Sequence, residues 1–555
     1  MNRIPSFFLL LLYSLFAGIP TCFGYQYLNQ THQPENITYP GGHSTRLTYK
    51  SLNEDRRLDR IEHRYSNSSI LAAHQYGHDA NGTIETWKQE RSALPARTWH
   101  FGYDLATRLT AAVLKNPAET ILKTHGWQYD PGDNRIASKT DSNGLVPARH
   151  NKSNQILTHG TGPVRFAGTL DEPGTVKVSG QDAKMRHQTL FEAYLELPPG
   201  THEIEIQATD FSANTATQSY EVQVANEPET QFIYDLNGNL TVKTTATGIT
   251  TYEWDALDRL ITILHEDGTS SHFTYDGLSR RVRIIEKDAT ATITSDKRHL
   301  WDGLQIAEER ASNGSTVQKR FYAHGVELVT GPQAGTYTYR TDHLGSIREI
   351  VNSTGNLAAR YDYTAWGDTT PAPIALDSND DPIYGTFDLD FRYTGHYFHQ
   401  PSDLHLAPFR AYDAGLGRWL SADPLGETGG LNLYGYVEND PVNQYDELGL
   451  KPIRITRAPG VRVGPLGSPT NPFVFRMGEG PPRPNPANQP SSTQCLNTVR
   501  QGAVTPPPPG STNPNQGHPS ITLNFRESIE IGYRFIGRNP FPITDRHGNI
   551  NPIIK

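Results

Sequence analysis

The sequence predicts an all-β protein built from repeated hairpins, and three observations carry that expectation. Tyr, Gly and Pro number 27, 48 and 40 among 555 residues, the composition of many short strands joined by tight turns. An aromatic-Asp pair followed by a polar turn, an Arg or Asn and an apolar run recurs along the chain. Its clearest copies are Tyr234-Asp235 (YDLNGNLT), Trp254-Asp255 (WDALDRLI), Tyr275-Asp276 (YDGLSRRV) and Trp301-Asp302 (WDGLQIAE), with earlier ones at Tyr103-Asp104 (YDLATRLT) and Tyr129-Asp130 (YDPGDNRI). The spacing is 20 residues from Asp235 to Asp255 and 21 from Asp255 to Asp276, which marks a structural repeat.

Residues 1–24 have the layout of a Sec signal peptide. Arg3 precedes an apolar run, Phe7 to Ala17 (FFLLLLYSLFA), that is too short for a membrane span, and Pro20 follows it. No other stretch approaches 18 apolar residues, so a secreted or envelope protein without a stable membrane span is expected. Cys22 and Cys495 are the two cysteines, so no disulfide framework is available and packing must supply stability.

Residues 25–160 read as an N-terminal region with degenerate repeats, and residues 227–370 as the regular ones. In each unit the aromatic packs on its neighbour while Asp accepts hydrogen bonds from turn amides. One hairpin alone is marginal, whereas hairpins stacked edge to edge bury a continuous face and pair their open edges. The array therefore grows into a long curved sheet. Between the two regions, residues 161–226 contain the alternating runs His202 to Ala208 (HEIEIQA) and Tyr220 to Val224 (YEVQV) around Pro198-Pro199-Gly200. This insertion reads as a small β-sandwich that resembles the Ig-like modules of bacterial surface proteins, and a spacer role is expected for it.

Residues 371–450 hold the densest pattern of the chain, FRAYDAGLGRWLSADPLGETGGLNLYGYVENDPVNQYDELGL from Phe409 to Leu450. The composition then changes, because 19 of the 40 prolines fall in residues 451–555, and a largely disordered tail is expected there. Only Ile521 to Ile536 alternates as a strand would. The tail carries 12 Lys/Arg against 4 Asp/Glu, a net of +8 within a chain of formal charge −9, so the remainder stands near −17. An acidic body attracts a basic tail, which suits a held cargo; a nucleic-acid binder or a plain basic linker shows the same bias.

The repeats and the closing segment resemble the Rhs/YD-repeat family with its RHS repeat-associated core. The resemblance spans roughly Ala73 to Ser138 and Gln231 to Leu450, and it implies a β-hairpin shell, here a partial cocoon because about 300 residues are short for a complete container. It further implies that Asp423 and Asp446 act as an aspartyl-protease-like pair with Arg410, cutting the chain between Leu450 and Lys451. Such chemistry needs two carboxylates close enough to share a proton, one serving as base and the other as acid. Asp446 stands four residues before the bond, so the substrate is tethered. Asp-Pro-Leu-Gly and Asp-Glu-Leu-Gly are also good turn formers, which leaves a purely architectural role open. Glu447 occupies the place where the family usually has Pro.

Other signals are weaker. His396, His399 and His405 offer an H-x-x-H pair, yet no third ligand type is specified, and neither a metal nor a cofactor is expected. Asp342 and His343, in TDHLGSIREIV, read as a scaffold turn because no nucleophile accompanies them. Gly429, Gly430, Asn432, Tyr434, Tyr436 and Asn439 read as architecture, with the two tyrosines on one strand face. Asp545, Arg546 and His547 give little support for a nuclease, so a nucleic-acid partner is expected only if the tail is one. The resulting expectation is an exported protein that encloses or presents its own C-terminal tail as cargo and releases it by self-cleavage, in toxin delivery or intercellular competition. The alternative is a non-cleaving surface protein whose repeats contact carbohydrate or other cell-surface proteins. No turnover enzyme is indicated.

Overall fold

The computed structural model of the protein describes residues 23–28, 33–377, 382–385, 387 and 390–455. Residues 1–22, most of the expected signal peptide, and the Pro-rich tail beyond residue 455, with its run Ile521 to Ile536 and its Asp545, Arg546 and His547, lie outside the described residues.

Strands dominate, and helix is confined among the described residues to 3-10 turns of three residues. One 27-stranded sheet runs from Gly24–Tyr27 to Pro382–Tyr384, each strand antiparallel to the next in sequence. The insertion leaves this sheet without breaking it: Thr158 and His159 of Ile156–His159 pair directly with Gln231 and Thr230 of Thr230–Tyr234.

The hairpin turns show why the motif has its spelling. Asp255 Oδ1 accepts the amides of Leu257 and Arg259 at 2.9 and 3.1 Å, and its Oδ2 accepts Arg259 Nε at 2.8 Å. Arg259 then reaches forward to the Asp276 carbonyl at 3.2 Å and lies 4.9 Å over the Tyr275 ring. Tyr275 reaches back, donating its hydroxyl to the Leu260 carbonyl at 2.8 Å. Tyr129 and Trp254 bond the Leu109 and Leu240 carbonyls in the same way. The Trp301-Asp302 copy differs. Its Trp301 still bonds the Arg281 carbonyl at 2.8 Å, but Asp302 lies within the strand opposite Gln305, across a two-residue turn. No Arg or Asn follows at the capping position, so the longer turn has nothing to close it.

The insertion is a two-sheet sandwich. Pro163–Thr169, Lys184–Arg186 and Leu190–Glu196 form one sheet, while Gly174–Val178, Gln181–Asp182, Gly200–Asp210 and Thr215–Val224 form the other. Val164, Phe166, Val176, Phe191, Ile204, Ile206 and Val222 fill the space between them. The two alternating runs pair as expected, Ile204 opposite Tyr220, but Pro198-Pro199-Gly200 is not the turn between them. That turn is Asp210 to Asn214, capped by the Asp210 carboxylate; the prolines carry the chain from one sheet to the other.

The sheet curves around its own C-terminal segment. Four short strands, Tyr397–His399, Leu404–Leu406, Ala411–Asp413 and Arg418–Trp419, form a separate small sheet inside. Tyr412, Trp419, Tyr436, Val437 and Val442 pack with the first and last parts of the large sheet, against residues such as Trp127, Tyr129, Val326 and Ile350. Tyr397, Leu404, Leu406 and Leu420 pack with the middle part, against Phe232, Tyr252, Ile263 and Ile306. The concave side of the described shell is therefore occupied by the core segment itself.

Candidate functional site

The site is assembled from two Asp turns and one arginine. Asp423 opens an Asp-Pro-Leu-Gly turn in which Oδ1 accepts the Leu425 amide at 2.8 Å and the Gly426 amide bonds its carbonyl at 2.9 Å. Asp446 opens the Asp-Glu-Leu-Gly turn, where Oδ1 accepts the amides of Gly449 and Leu450 at 2.9 and 3.0 Å. That turn closes with Glu447 in the usual Pro position. Gly449 supplies the left-handed residue, φ +72°, and a Cβ there would stand 3.1 Å from the Arg410 backbone nitrogen.

Each acid spends one oxygen on its turn and directs the other at Arg410. Arg410 Nη2 lies 2.8 Å from Asp423 Oδ2 and 3.3 Å from Asp446 Oδ2. The remaining donors of the guanidinium hold backbone: Nε the Gly449 carbonyl at 2.5 Å and Nη1 the Leu433 carbonyl at 3.2 Å. Its face lies 4.4 Å over the Trp419 ring. All three side chains are buried. Burial raises Asp423 above the usual carboxylate range, with the Asp446 charge adding to the rise and Arg410 opposing it. Gly429 is needed here, because a Cβ would fall 2.4 Å from Asp423 Oδ2.

His396 joins this site, a placement that sequence spacing did not signal. Its Nε2 donates to the Asp446 carbonyl at 2.9 Å, its Nδ1 lies 3.3 Å from Thr394 Oγ1, and its ring meets Trp419 edge-on at 6.1 Å. The other histidines of the stretch diverge. His399 bonds Glu286 and Ser402 at 2.9 and 2.7 Å, and His405 bonds the Gly367 carbonyl at 3.2 Å, so the three share no ligand position.

Asp342 caps its own turn, accepting the Leu344 and Ser346 amides and Arg348 Nε, while His343 donates to the Val442 carbonyl at 2.8 Å. Tyr434 and Tyr436 do not share a strand face as expected. The chain is irregular there, Tyr434 bonding the Gly238 carbonyl and Tyr436 packing 4.2 Å from Tyr412. The elements around them impose the bends that a strand reading omits.

Beyond the Leu450-Lys451 bond, residues 451–455 stay on the shell. Lys451 is exposed, Ile453–Arg454 pairs with Gln444–Tyr445, and the Ile455 amide bonds the Asn443 carbonyl at 2.8 Å. Arg454 lies 3.1 Å from Asp440, whose carboxyl burial pushes up to about 6 against the opposing pull of Asn443 and Arg454. Elsewhere His63, His74 and Glu349 bring one ligand atom each within 4.8 Å of one another. Hydrogen bonds commit the imidazoles: Trp87 Nε1–H donates to His74 Nδ1 at 3.1 Å, and His63 Nε2 donates to the Thr341 carbonyl at 3.0 Å with Thr45 Oγ1 2.8 Å from its Nδ1. Neither ring keeps a lone pair free for a metal, and the group reads as interior packing. Among the described residues no helix is long and apolar enough to cross a membrane.

Comparison with known proteins agrees with the fold. Residues 234–270 match the RHS repeat and residues 304–442 match the teneurin YD-shell. The double-stranded DNA deaminase toxin A of Burkholderia cenocepacia is 29% identical over 250 residues, covering 40% of this chain and 17% of that protein. The tRNA nuclease WapA of Bacillus subtilis is 28% identical over 248 residues, 43% of this chain and 10% of its own length. The probable deoxyribonuclease RhsB of Dickeya dadantii is 29% identical over 243 residues, 41% and 16% respectively. The chain thus spans less than a fifth of the length of these relatives. A solved TcdB2-TccC3 structure aligns with 75% of this chain and 21% of its own at 15% identity and a TM-score of 0.36. The repeat code and the all-β shell thus agree with the RHS-repeat and teneurin YD-shell matches over residues 234–270 and 304–442.

Proposed function

We propose that this protein presents residues 451–555 as a cargo for toxin delivery and frees it by cutting its own backbone between Leu450 and Lys451. The observation that carries the reading is the sharing of Arg410 Nη2 by Asp423 and Asp446, with the Leu450 amide held on the second acid. Asp423, raised by burial, keeps the proton, and the dyad's other carboxylate takes one from an attacking water. Water adds to the Leu450 carbonyl, the proton of Asp423 passes to the Lys451 nitrogen, and the C–N bond breaks to leave a new carboxylate and a new amine. Arg410 fixes the peptide one residue upstream and steadies the charge between the acids. The rate falls as pH rises through the titration of Asp423. Residues 1–24 direct export.

Intact mass of the purified full chain, beside Asp423→Asn, tests this. Two fragments splitting after Leu450 in the parent and one uncut chain in the variant support self-cleavage. An uncut parent removes it and leaves a surface protein that binds without cutting.

A further inference from the structure

A second polar site lies where the core segment meets the wall of the shell. Arg135, His150 and His159 from the strands Arg135–Thr140, Val146–His150 and Ile156–His159 face Arg418, Asn432 and Tyr434 across a partly enclosed cleft of 360 Å³ that opens to solvent at its mouth. Its inner part has room for about one water-sized body.

The charges lining this cleft do not balance. Arg418 is 6% exposed; its Nη2 bonds the Asn154 carbonyl, its plane lies 5.1 Å from the Tyr434 ring, and its Nε is buried with no hydrogen-bond partner. Arg135 bonds the Gly415 carbonyl and lies 5.0 Å over the Trp366 ring. Among the described residues neither arginine has a carboxylate partner. Of the acids here, Asp133 lines the cleft but pairs with Arg108 at 2.9 Å, Asp130 caps the Gly132 and Asn134 amides and acts on Arg418 only at longer range, and Asp413 lies 3.8 Å from Lys243. His150 Nδ1 is a further buried atom without a partner, and burial, reinforced by Arg418 and Arg135 at His150 and by Arg135 at His159, holds both imidazoles neutral at pH 7. A guanidinium withdrawn from water without a counter-charge is costly, and a bound anion would offset that cost.

We propose that this cleft binds a small monovalent inorganic anion of halide size, held by Arg418, Arg135 and His150 Nδ1. The size follows from the inner space, and the charge follows from two arginines that line the cleft without an ion-pair partner among the described residues. The anion joins the core segment to the repeat wall, because Arg418 belongs to the first and His150 and Arg135 to the second. Its binding adds stability in proportion to anion occupancy.

Thermal unfolding of the full chain at equal sodium concentration in chloride, bromide, phosphate and gluconate tests this. Chloride and bromide are expected to raise Tm by about 2 °C or more over gluconate. The difference is expected to vanish in Arg418→Gln and, should that variant not fold, in the half-exposed Arg135→Gln. Equal Tm in chloride and gluconate overturns the proposal, as does a halide effect that survives in a folded variant. A response to phosphate alone overturns the halide assignment.

Discussion

One guanidinium faces two carboxylates at Arg410, and this arithmetic makes the stabilities of Asp→Asn variants sharply non-additive. In Asp423→Asn the amide oxygen still accepts the Leu425 amide, and Asp446 remains to neutralise Arg410. In Asp446→Asn the Gly449 and Leu450 amides keep an acceptor, and Asp423 remains. Each single change loses one charge-assisted bond but leaves the other acid able to ionise against Arg410, so each is expected to shift stability by about 1 kcal/mol or less. The double variant leaves a buried guanidinium with two carbonyls and the Trp419 face, and losing the last counter-charge of a buried pair costs about 3–5 kcal/mol. A coupling of about 2 kcal/mol or more is therefore expected. Urea denaturation at pH 7, followed by tryptophan fluorescence, measures it on Asp423→Asn, Asp446→Asn and the double variant, all three uncut if the acids cleave. A double-variant loss equal to the sum of the singles within about 0.5 kcal/mol would show that the acids act as independent turn caps, and the charge argument would be refuted.

Asp440 is raised by burial, so its ionised form opposes folding: stability is lost as pH climbs from about 4 through 6, by roughly 3 kcal/mol when complete. Asp440→Asn is accordingly expected to raise the urea midpoint at pH 7 and leave it unchanged at pH 4. Arg259→Met should cost about 1–2 kcal/mol in the same assay, because it removes the Asp255 pair, the bond to Asp276 and the stacking on Tyr275; Arg149→Met, whose exposed pair with Glu196 stands alone, should cost under about 0.5 kcal/mol. Gly367→Ala places a Cβ 2.4 Å from the buried Tyr393 ring at φ +100° and should lower Tm severely, whereas Gly180→Ala, at φ +79° with nothing within 4 Å, should show only the strain of about 1 kcal/mol.

The repeats were legible because their chemistry is local. Asp255 and Arg259 stand four residues apart and need only a turn to meet, and the missing Arg or Asn after Asp302 is the reason that copy folds differently. The alternation in the insertion was equally readable, while the path of Pro198-Pro199-Gly200 between two sheets depended on a partner strand that spacing does not name. At the site, Arg410, Asp423 and Asp446 were named by resemblance. The division of each carboxylate between turn and arginine was not, since it is a matter of three-dimensional approach. His396 went unassigned because its bond to the Asp446 carbonyl spans 50 residues and leaves no periodic trace. The filled concave side rests on contacts such as Tyr436 with the distant walls, which no window of sequence contains.

The hairpin relay described above has a direction: each turn's arginine reaches to its successor and each ring to its predecessor. Delete one whole unit from the middle, and the flanking units present each other with the same couplers that the lost one had offered. Array length can thus drift by complete modules at little energetic penalty, while a half-unit change would strand an unmatched arginine and an unmatched ring. Selection on shells of this type is therefore expected to act on how many hairpins surround the core segment more readily than on how any one of them is spelled.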